Sequence, residues 1–251
     1  MHKDSQPREL LGIFDSGVGG FSVYKKIREV TNANVVYYGD CARAPYGNRE
    51  DDEIVQLVKD DIMFLQDENV KYFVNACNSM SVMTTDALLQ ECNVKADYYT
   101  DMIRALDKHA SFEKNEKILV LGTVATIRSG IYQEVLKSKG VISYVYAYTE
   151  LAGAIESNAP RDQLIRILEK GISYAKDEGV TSVIYGCTHY PLIHELFIEV
   201  QNILGWKGEF VDPAMYVAEE VKTWGLVGEK KLYPYSSKDT PAFINSIIKL
   251  L

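Results

Sequence analysis

Short apolar segments alternate with longer amphipathic segments along almost the whole chain, and this alternation limits the possible fold more than any other feature. The longer segments carry apolar residues at helical spacing, as Val23, Ile27 and Val30 do. Regular alternation of strand and helix is typical of parallel sheets covered by helices on both faces. The predicted strands are Leu10–Phe14, Asn34–Tyr38, Lys71–Ala76, Lys117–Leu121, Ser143–Ala147 and Ser182–Tyr185. The predicted helices are Phe21–Val30, Asp51–Asn69, Ser81–Gln90, Ser129–Lys139, Arg161–Glu178 and Leu192–Leu204.

Two predicted strands end at a cysteine that is followed by hydrogen-bonding side chains. These cysteines are Cys77 and Cys187, and each follows a polar strand-end loop, at Asp15 and at Thr123, by a similar distance along the chain. Because ligands of parallel α/β folds bind at the carboxyl ends of the strands, two similar halves facing each other would bring all four loops to one cleft. Any α/β chain repeats strand–loop units at such intervals, so the spacing alone leaves an internal repeat open.

The overall composition excludes several classes of protein. A chain of 251 residues is long enough for one large or two small domains with a real core. A net charge of −8 and the lack of any basic cluster argue against nucleic-acid binding. No apolar run approaches the ~20 residues of a membrane span, and Met1–Glu9 has no apolar signal segment. We therefore expect a cytoplasmic protein that does not enter the membrane.

Of the four cysteines, Cys77 and Cys187 point to chemistry, whereas Cys92 fits a small buried hydrophobic residue and Cys41 is assigned no role. None lies in a C-x-x-C pair, so we expect no structural zinc site, and in a reducing cytoplasm we expect no disulfides. His189 follows Cys187 by two residues, and a neighbouring cation lowers a thiol pKa, while an imidazole can also shuttle the proton. Pro191 fits the first turn of the next helix. The alternative interpretation is a core cysteine beside a capping threonine.

The loop from Asp15 to Gly20 is rich in glycine and joins a strand to a helix. Such loops often bind anions with their N–H groups. This one lacks the lysine of a P-loop and the G-x-G-x-x-G spacing of a dinucleotide site, so it suits a small anion that also carries a cationic group. No lysine for pyridoxal phosphate and no metal cluster is evident. We therefore predict chemistry without a cofactor or a metal.

Taken together, the motifs resemble the glutamate racemases of the aspartate/glutamate racemase family. They occur in family order and span nearly the whole chain: Phe14-Asp15-Ser16-Gly17-Val18-Gly19-Gly20, Gly39-Asp40, Pro45-Tyr46-Gly47, Ala76-Cys77-Asn78, Gly122-Thr123 with Thr126 and Ser129, and Gly186-Cys187-Thr188-His189-Tyr190-Pro191. Asp239 and Phe243 resemble the family's C-terminal helix. The resemblance implies two similar doubly wound α/β domains related by a pseudo-twofold axis, with the active site in the cleft between them. We place the first domain at residues 1–97 plus 208–251 and the second at residues 98–207.

The resemblance also implies an activity: cofactor-independent interconversion of L- and D-glutamate, which supplies D-glutamate for peptidoglycan and thus for cell wall biogenesis and cell shape. It implies a homodimer. By motif match, Cys77 and Cys187 are the two acid/base thiols. The implied assisting residues are Asp15, His189 and Glu156. The implied substrate-binding residues are Asp15, Ser16, Tyr46, Gly47, Asn78, Ser79, Thr123, Thr126, Thr188 and His189.

The chemistry of racemisation agrees with this residue set. Removing a weakly acidic Cα proton and replacing it on the other face needs two opposed groups of matched pKa, and a thiol pair supplies them. The chain departs from the family at Ser79, where threonine is usual, at Lys95–Ile103, which lacks an apolar strand followed by Pro-Gly, and at Ala147–Glu150, which lacks Cys-Pro. The last two departures leave open a racemase of aspartate or a related amino acid. Apart from them, the thiol motifs alone also allow a hydrolase with Cys187 as nucleophile and His189 as base, or an amino-acid-binding module of two α/β lobes without catalysis.

Overall fold

Nine strands form two sheets in the computed structural model, which describes residues 9–248. The predicted absence of a signal segment in Met1–Glu9 therefore concerns residues that, apart from Glu9, lie outside the described part. The strands are β1 (Leu10–Asp15), β2 (Asn34–Gly39), β3 (Val70–Asn75), β4 (Tyr99–Asp101), β5 (Lys117–Gly122), β6 (Ile142–Ala147), β7 (Ser182–Gly186), β8 (Glu209–Val211) and β9 (Leu232–Ser236). All six predicted strands are confirmed, each within one residue at either end.

The two sheets repeat the same topology, which confirms the predicted α/β fold with parallel sheets. The first sheet has the order β4-β3-β1-β2-β9, and the second, taken from its far edge, has the order β8-β7-β5-β6. All pairs of neighbouring strands are parallel. Each strand of the second sheet thus occupies the position of the strand four places earlier in the first. This repeated order is what two similar halves require, and it leaves β9 as an extra edge strand of the first half.

Helices cover both faces of each sheet because the central strands are apolar on both sides. In β2, Val35 and Tyr37 belong to one buried cluster, whereas Val36 and Tyr38 belong to another, as the period of two in a strand dictates. Two further clusters cover the second sheet in the same way. The helices are α1 (Phe21–Val30), α2 (Asp51–Asp67), α3 (Asn78–Ser81), α4 (Asp86–Glu91), α5 (Met102–His109), α6 (Val124–Arg128), α7 (Ile131–Ser138), α8 (Leu151–Glu156), α9 (Arg161–Asp177), α10 (His194–Leu204), α11 (Ala214–Thr223) and α12 (Thr240–Ile248). Within residues 9–248, none of these helices combines the length and the apolar character needed to cross a bilayer.

One predicted helix is wrong. Sequence periodicity predicts a single helix over Ser81–Gln90, but the chain forms the short helix α3, a turn, and then α4. The Thr84 hydroxyl donates to the Met80 carbonyl at 2.9 Å, and the Thr85 hydroxyl caps α4 by accepting from the Leu88 N–H at 3.2 Å. Threonine side chains that bond to nearby backbone compete with continuous helix, and here they begin a new one.

The C-terminal segment returns to the first half of the molecule. Helix α11 packs against α1, β9 pairs with β2, and Phe243 of α12 lies against Tyr37 with 5.8 Å between ring centroids. Pro234 is tolerated in β9 because β9 is an edge strand. The resemblance of Asp239 and Phe243 to a C-terminal helix therefore agrees with the position of α12.

The sheet to which β4 and β8 belong favours domain boundaries a few residues later than the predicted ones. Sequence analysis places the first domain at residues 1–97 plus 208–251 and the second at 98–207. Strand β4, however, pairs with β3 in the first sheet, and β8 pairs with β7 in the second. We propose that the chain crosses between the halves a few residues later, after Asp101 and after Val211.

Candidate active site

A cavity of about 240 Å³ lies where the carboxyl ends of strands from both sheets meet. The first half contributes the loops that follow β1, β2 and β3, and the second half contributes those that follow β5, β6 and β7. From the first half the lining residues are Ser16, Pro45, Tyr46, Gly47, Asn48, Cys77, Asn78 and Ser79. From the second half they are Thr123, Tyr148, Thr149, Glu150, Ala152, Gly153, Glu156, Cys187, Thr188 and His189.

Cys77 follows β3 and stands at the N-terminal end of the short helix α3. Its side chain is buried, its Sγ lies 3.7 Å from the Ser16 hydroxyl oxygen, and its backbone N–H donates to Asn75 Oδ1 at 3.2 Å. Burial, together with the negative charge of Asp15, raises the pKa of the Cys77 thiol to about 12. With the charges as they stand in the structure, Cys77 therefore favours the thiol form, which is the form that donates a proton.

Cys187 follows β7 in the second half and has a histidine as its neighbour. Cys187 Sγ lies 3.7 Å from His189 Nδ1, and both side chains are buried. Burial by itself would lower the pKa of His189, but interactions with Cys187 and Glu156 raise it well above its usual value. Glu156 Oε2 lies 3.5 Å from His189 Nε2. The imidazole thus lies between a sulfur and a carboxylate, which both favour its cationic form.

Asp15 connects the loops of the two halves from beneath the cavity. It is fully buried at the end of β1, and its Oδ1 accepts from the Gly17 N–H at 2.8 Å. Its Oδ2 accepts from the Thr188 hydroxyl, 3.1 Å away in the other half. Burial raises the pKa of Asp15, and the charge of His189 opposes that shift. Asp15 and the His189 cation therefore stabilise each other.

A chain of hydroxyl groups crosses the cleft on its other side. The Ser79 and Thr123 hydroxyl oxygens lie 2.9 Å apart, and those of Thr123 and Thr126 lie 3.0 Å apart. Beside them, Asn78 Oδ1 accepts from the Tyr132 hydroxyl at 2.6 Å. Asn78 Nδ2 is buried and has no partner within residues 9–248. An amide that donates into a cavity without a protein acceptor is suited to a bound anion.

Tyr46 and Gly47 form part of the cavity surface in the loop after β2. The Tyr46 hydroxyl donates to Asp40, which is fully buried. The Gly47 carbonyl accepts from the Ala125 N–H of the second half at 2.8 Å. This side of the cavity is therefore fixed to both halves of the molecule.

The structure brings all the predicted site residues to this region, and all but two line the cavity. Asp15 lies beneath the cavity, and Thr126 is buried behind Thr123. Sequence reasoning missed Asn48, the segment Tyr148–Glu150, Ala152 and Gly153 as lining residues. The segment Tyr148–Glu150 follows β6, and a polar segment directly after a predicted strand was the signal that could have identified it.

Geometry limits what this site can do. It presents one buried sulfur from each half, a cationic imidazole beside one of them, and polar donors between them. Within residues 9–248, no three His, Cys, Asp or Glu side chains are grouped so as to hold a metal ion. Proton transfer at one carbon from two sides, each by a thiol, is chemistry that this arrangement supports without further groups.

Comparison with known proteins gives the class that this fold and site define. The model of the Asp/Glu/Hydantoin racemase family matches residues 12–219, and the chain belongs to this family. Glutamate racemase of Lactobacillus helveticus is 35% identical over 219 residues, which are 86% of this chain and 79% of the relative. Glutamate racemase of Aquifex aeolicus is 40% identical over 202 residues, 77% of this chain and 75% of the relative.

Solved structures agree with the sequence relatives. The crystal structure of Francisella tularensis glutamate racemase in complex with D-glutamate superimposes with a TM-score of 0.83. The match covers 97% of this chain and 93% of that one at 25% sequence identity. At this coverage the likeness extends over both halves of the chain.

Proposed function

We propose that this protein interconverts L-glutamate and D-glutamate without a cofactor, by a two-base mechanism that uses Cys77 and Cys187. One observation carries the proposal: two buried thiols, one from each half of a repeated fold, line a single cavity. Membership of the racemase family and relatives named glutamate racemase support the reaction and the substrate.

From the family resemblance, we assign Cys187 as the base and Cys77 as the acid in the direction from L- to D-glutamate. The His189 cation, 3.7 Å from Cys187 Sγ, stabilises a thiolate there, and this thiolate takes the Cα proton. Cys77 then gives its thiol proton to the opposite face of Cα, which inverts the centre. The products of the step are a Cys187 thiol and a Cys77 thiolate, and that state accepts D-glutamate for the reverse reaction.

The negative charge that develops as the Cα proton leaves must be stabilised by the protein. Delocalisation into the α-carboxylate places this charge on carboxylate oxygens, and donors aimed at those oxygens stabilise it. The unpartnered amide of Asn78 and the hydroxyl of Ser79 line the cavity and are the donors we assign to substrate carboxylates. Thr188 lines the cavity as well, but its hydroxyl donates to Asp15, so it serves a substrate carboxylate only by exchanging that partner. Asp15 and Glu156 assist by keeping His189 charged.

The competing functions explain less of the site. A hydrolase with Cys187 as nucleophile and His189 as base has no use for a second buried thiol at Cys77. A binding module without catalysis has no use for either thiol. Aspartate is the alternative substrate, because the departure from the family at Ala147–Glu150 includes Tyr148, Thr149 and Glu150, which line the cavity.

The test is a direct assay of purified protein. L-glutamate and L-aspartate are incubated separately, in buffer with a chelator and without pyridoxal phosphate, and circular dichroism follows the loss of optical activity. We expect glutamate to reach the racemic mixture and Cys77→Ser and Cys187→Ser to be inactive. Turnover of aspartate alone, or activity that disappears when metal or pyridoxal phosphate is removed, would contradict the proposal.

The use of the product, the cellular compartment and the oligomeric state are predictions from the family resemblance. We propose that the product D-glutamate is used for peptidoglycan, that the enzyme works in the cytoplasm, and that it is a homodimer. The mechanism requires both thiols reduced, and all four cysteines are free in the structure, which suits a reducing compartment. Light scattering during size-exclusion chromatography measures the oligomeric state directly.

A further inference from the structure

A cluster of three acidic groups, two of them buried, lies behind the cavity and is not used by the racemisation chemistry. It is built around one guanidinium, that of Arg43, in the loop after β2. Three carboxylates surround this guanidinium: Nε lies 2.5 Å from Asp40 Oδ2, Nη1 lies 2.5 Å from Asp60 Oδ2, and Nη2 lies 3.2 Å from Asp61 Oδ1. Within this cluster, Asp40 Oδ2 also accepts the hydroxyl of Tyr46, whose ring lines the cavity.

Asp61 is the unusual member of the cluster. It lies on α2, a helix whose other buried residues are apolar, and its side chain is fully inaccessible. Asp61 Oδ2 has no hydrogen-bond partner within residues 9–248, nor does Asp40 Oδ1. Burial, and then the charge of Asp40, raise the pKa of Asp61 well above its usual value. Burying a carboxyl group whose oxygens are not all hydrogen-bonded destabilises the folded protein. At the other buried positions of α2 the side chains are apolar and carry no such cost.

The arrangement explains what Asp61 does. The Arg43 side chain is 34% exposed and Asp60 is 39% exposed, so this pair faces solvent. Asp61 and Asp40 lie on the inner side, at 0% exposure. Asp61 binds the guanidinium at Nη2 and keeps it turned inward, where its Nε meets the same Asp40 oxygen that accepts from Tyr46. Without Asp61, only Asp60 competes with Asp40, and it draws the guanidinium toward the surface.

We propose that Asp61 is a positioning residue for the substrate cavity: by holding Arg43 against Asp40, it fixes the hydroxyl of Tyr46 and so the Tyr46–Gly47 side of the cavity. This inference rests on the proposed function. Asp61 does not line the cavity, so it acts on a bound substrate through its neighbours Arg43, Asp40 and Tyr46. Substrate affinity therefore depends on Asp61 more strongly than the chemical step does, because both thiols are held by other loops.

The experiment compares substitutions that keep or remove the acceptor of Asp61. Asp61→Asn keeps a side-chain oxygen that can accept from Arg43. Asp61→Ala and Asp61→Leu both remove that acceptor; alanine leaves empty space in the core, whereas leucine fills it. For Asp61→Ala and Asp61→Leu we expect KM for both enantiomers to rise about tenfold, the loss of one hydrogen bond to a charged group, with kcat changed less than about threefold. Asp61→Asn is expected to restore KM to within about twofold of the parent. The matched control is Asp60→Asn, which binds the same guanidinium from the solvent side and is expected to leave KM within about twofold.

Two further measurements separate positioning from general damage. In a Tyr46→Phe background, Asp61→Leu should add little to KM, because the hydroxyl through which it acts is gone. A crystal structure of Asp61→Leu should show Tyr46 separated from Asp40. Unchanged KM in both folded variants, additive effects with Tyr46→Phe, or an intact Tyr46–Asp40 bond would overturn the inference. If the parent protein does not racemise glutamate, the proposed function fails, and the crystal structure alone still decides the role of Asp61.

Discussion

Gly19 provides the sharpest test of how closely the two halves fit around His189. A Cβ atom at Gly19 would lie 2.6 Å from His189 Nδ1, 2.6 Å from Thr188 Oγ1 and 2.7 Å from His189 Cε1. Gly19 does not adopt a positive φ, so alanine suits its backbone and the clash is the whole effect of the substitution. Gly19→Ala therefore pushes His189 and Thr188 away from the loop that carries Asp15.

The size of the displacement follows from the distances. Ordinary van der Waals contact begins near 3.4 Å, so atoms at 2.6 Å must separate by about 0.8 Å. His189 Nδ1 is also the atom that faces Cys187 Sγ, at 3.7 Å. Misplacing a catalytic group by about 1 Å costs roughly 10²-fold in rate, so we expect kcat/KM of Gly19→Ala to fall by about two orders of magnitude. Overpacking should also lower stability by about 1–3 kcal/mol.

The assay is racemisation followed by circular dichroism, at a temperature well below the melting point of the variant. Because the two enantiomers have equal free energy, kcat/KM must be the same in both directions, which provides an internal check. The matched control is Gly12→Ala in β1, which does not line the cavity: a Cβ there would lie 2.7 Å from Val70 Cγ1, so it overpacks the core but does not touch His189. We expect this control to lose stability and to keep kcat/KM within about twofold. If Gly19→Ala is as active as Gly12→Ala, the close approach of His189 to the Asp15 loop does not matter for catalysis.

Two other predictions follow from single side chains. Ser79→Ala and Thr188→Ala each remove a cavity hydroxyl that can bind a substrate carboxylate, and kcat/KM for glutamate should fall roughly 10- to 100-fold; unchanged values would refute the assignment. Burial raises the pKa of Asp101 to about 6, so the folded state binds this proton more tightly than the unfolded state does. The resulting contribution to stability is fully present below about pH 4, where the carboxyl is protonated in both states, and it is lost as the pH rises through 6. Asp101→Asn keeps the oxygen that accepts from the Ile103 and Arg104 N–H groups, and it should stabilise the protein at pH 8 by about 2–3 kcal/mol but not at pH 4. Equal differences in melting temperature at the two pH values would contradict this.

Strand positions and the two thiol loops were predictable because their signals are local. An apolar run that stops at a polar or small residue marks the end of a strand, and in a parallel sheet those ends share one edge. The positions of Cys77 and Cys187 at this edge were therefore predictable from the sequence alone. The order of strands is not local, so the assignment of β4 and β8 to their sheets was available only from the structure.

Asp61 shows why part of the site could not be predicted. In sequence it stands beside Asp60 in a helix that contains several acidic residues, and such residues are usually on the solvated face. Its burial depends on Arg43, which lies in a distant loop and supplies the compensating charge. Likewise, the segment Tyr148–Glu150 lines the cavity only because β6 lies beside β5 in the second sheet. Contacts of this kind follow from topology and not from residue pattern.

The central claim, that each thiol serves one face of the substrate, is tested most directly with single-thiol variants and a glutamate analogue that carries chloride at Cβ. Removal of the Cα proton from this analogue expels chloride and gives an enamine that hydrolyses to the keto acid and ammonia, so one functional thiol suffices for turnover. Cys77→Ser retains Cys187 and should release chloride from the L-enantiomer, whereas Cys187→Ser retains Cys77 and should release it from the D-enantiomer. Neither variant should racemise glutamate. The same enantiomer preference in both variants, or full racemisation by either one, would contradict the two-thiol mechanism.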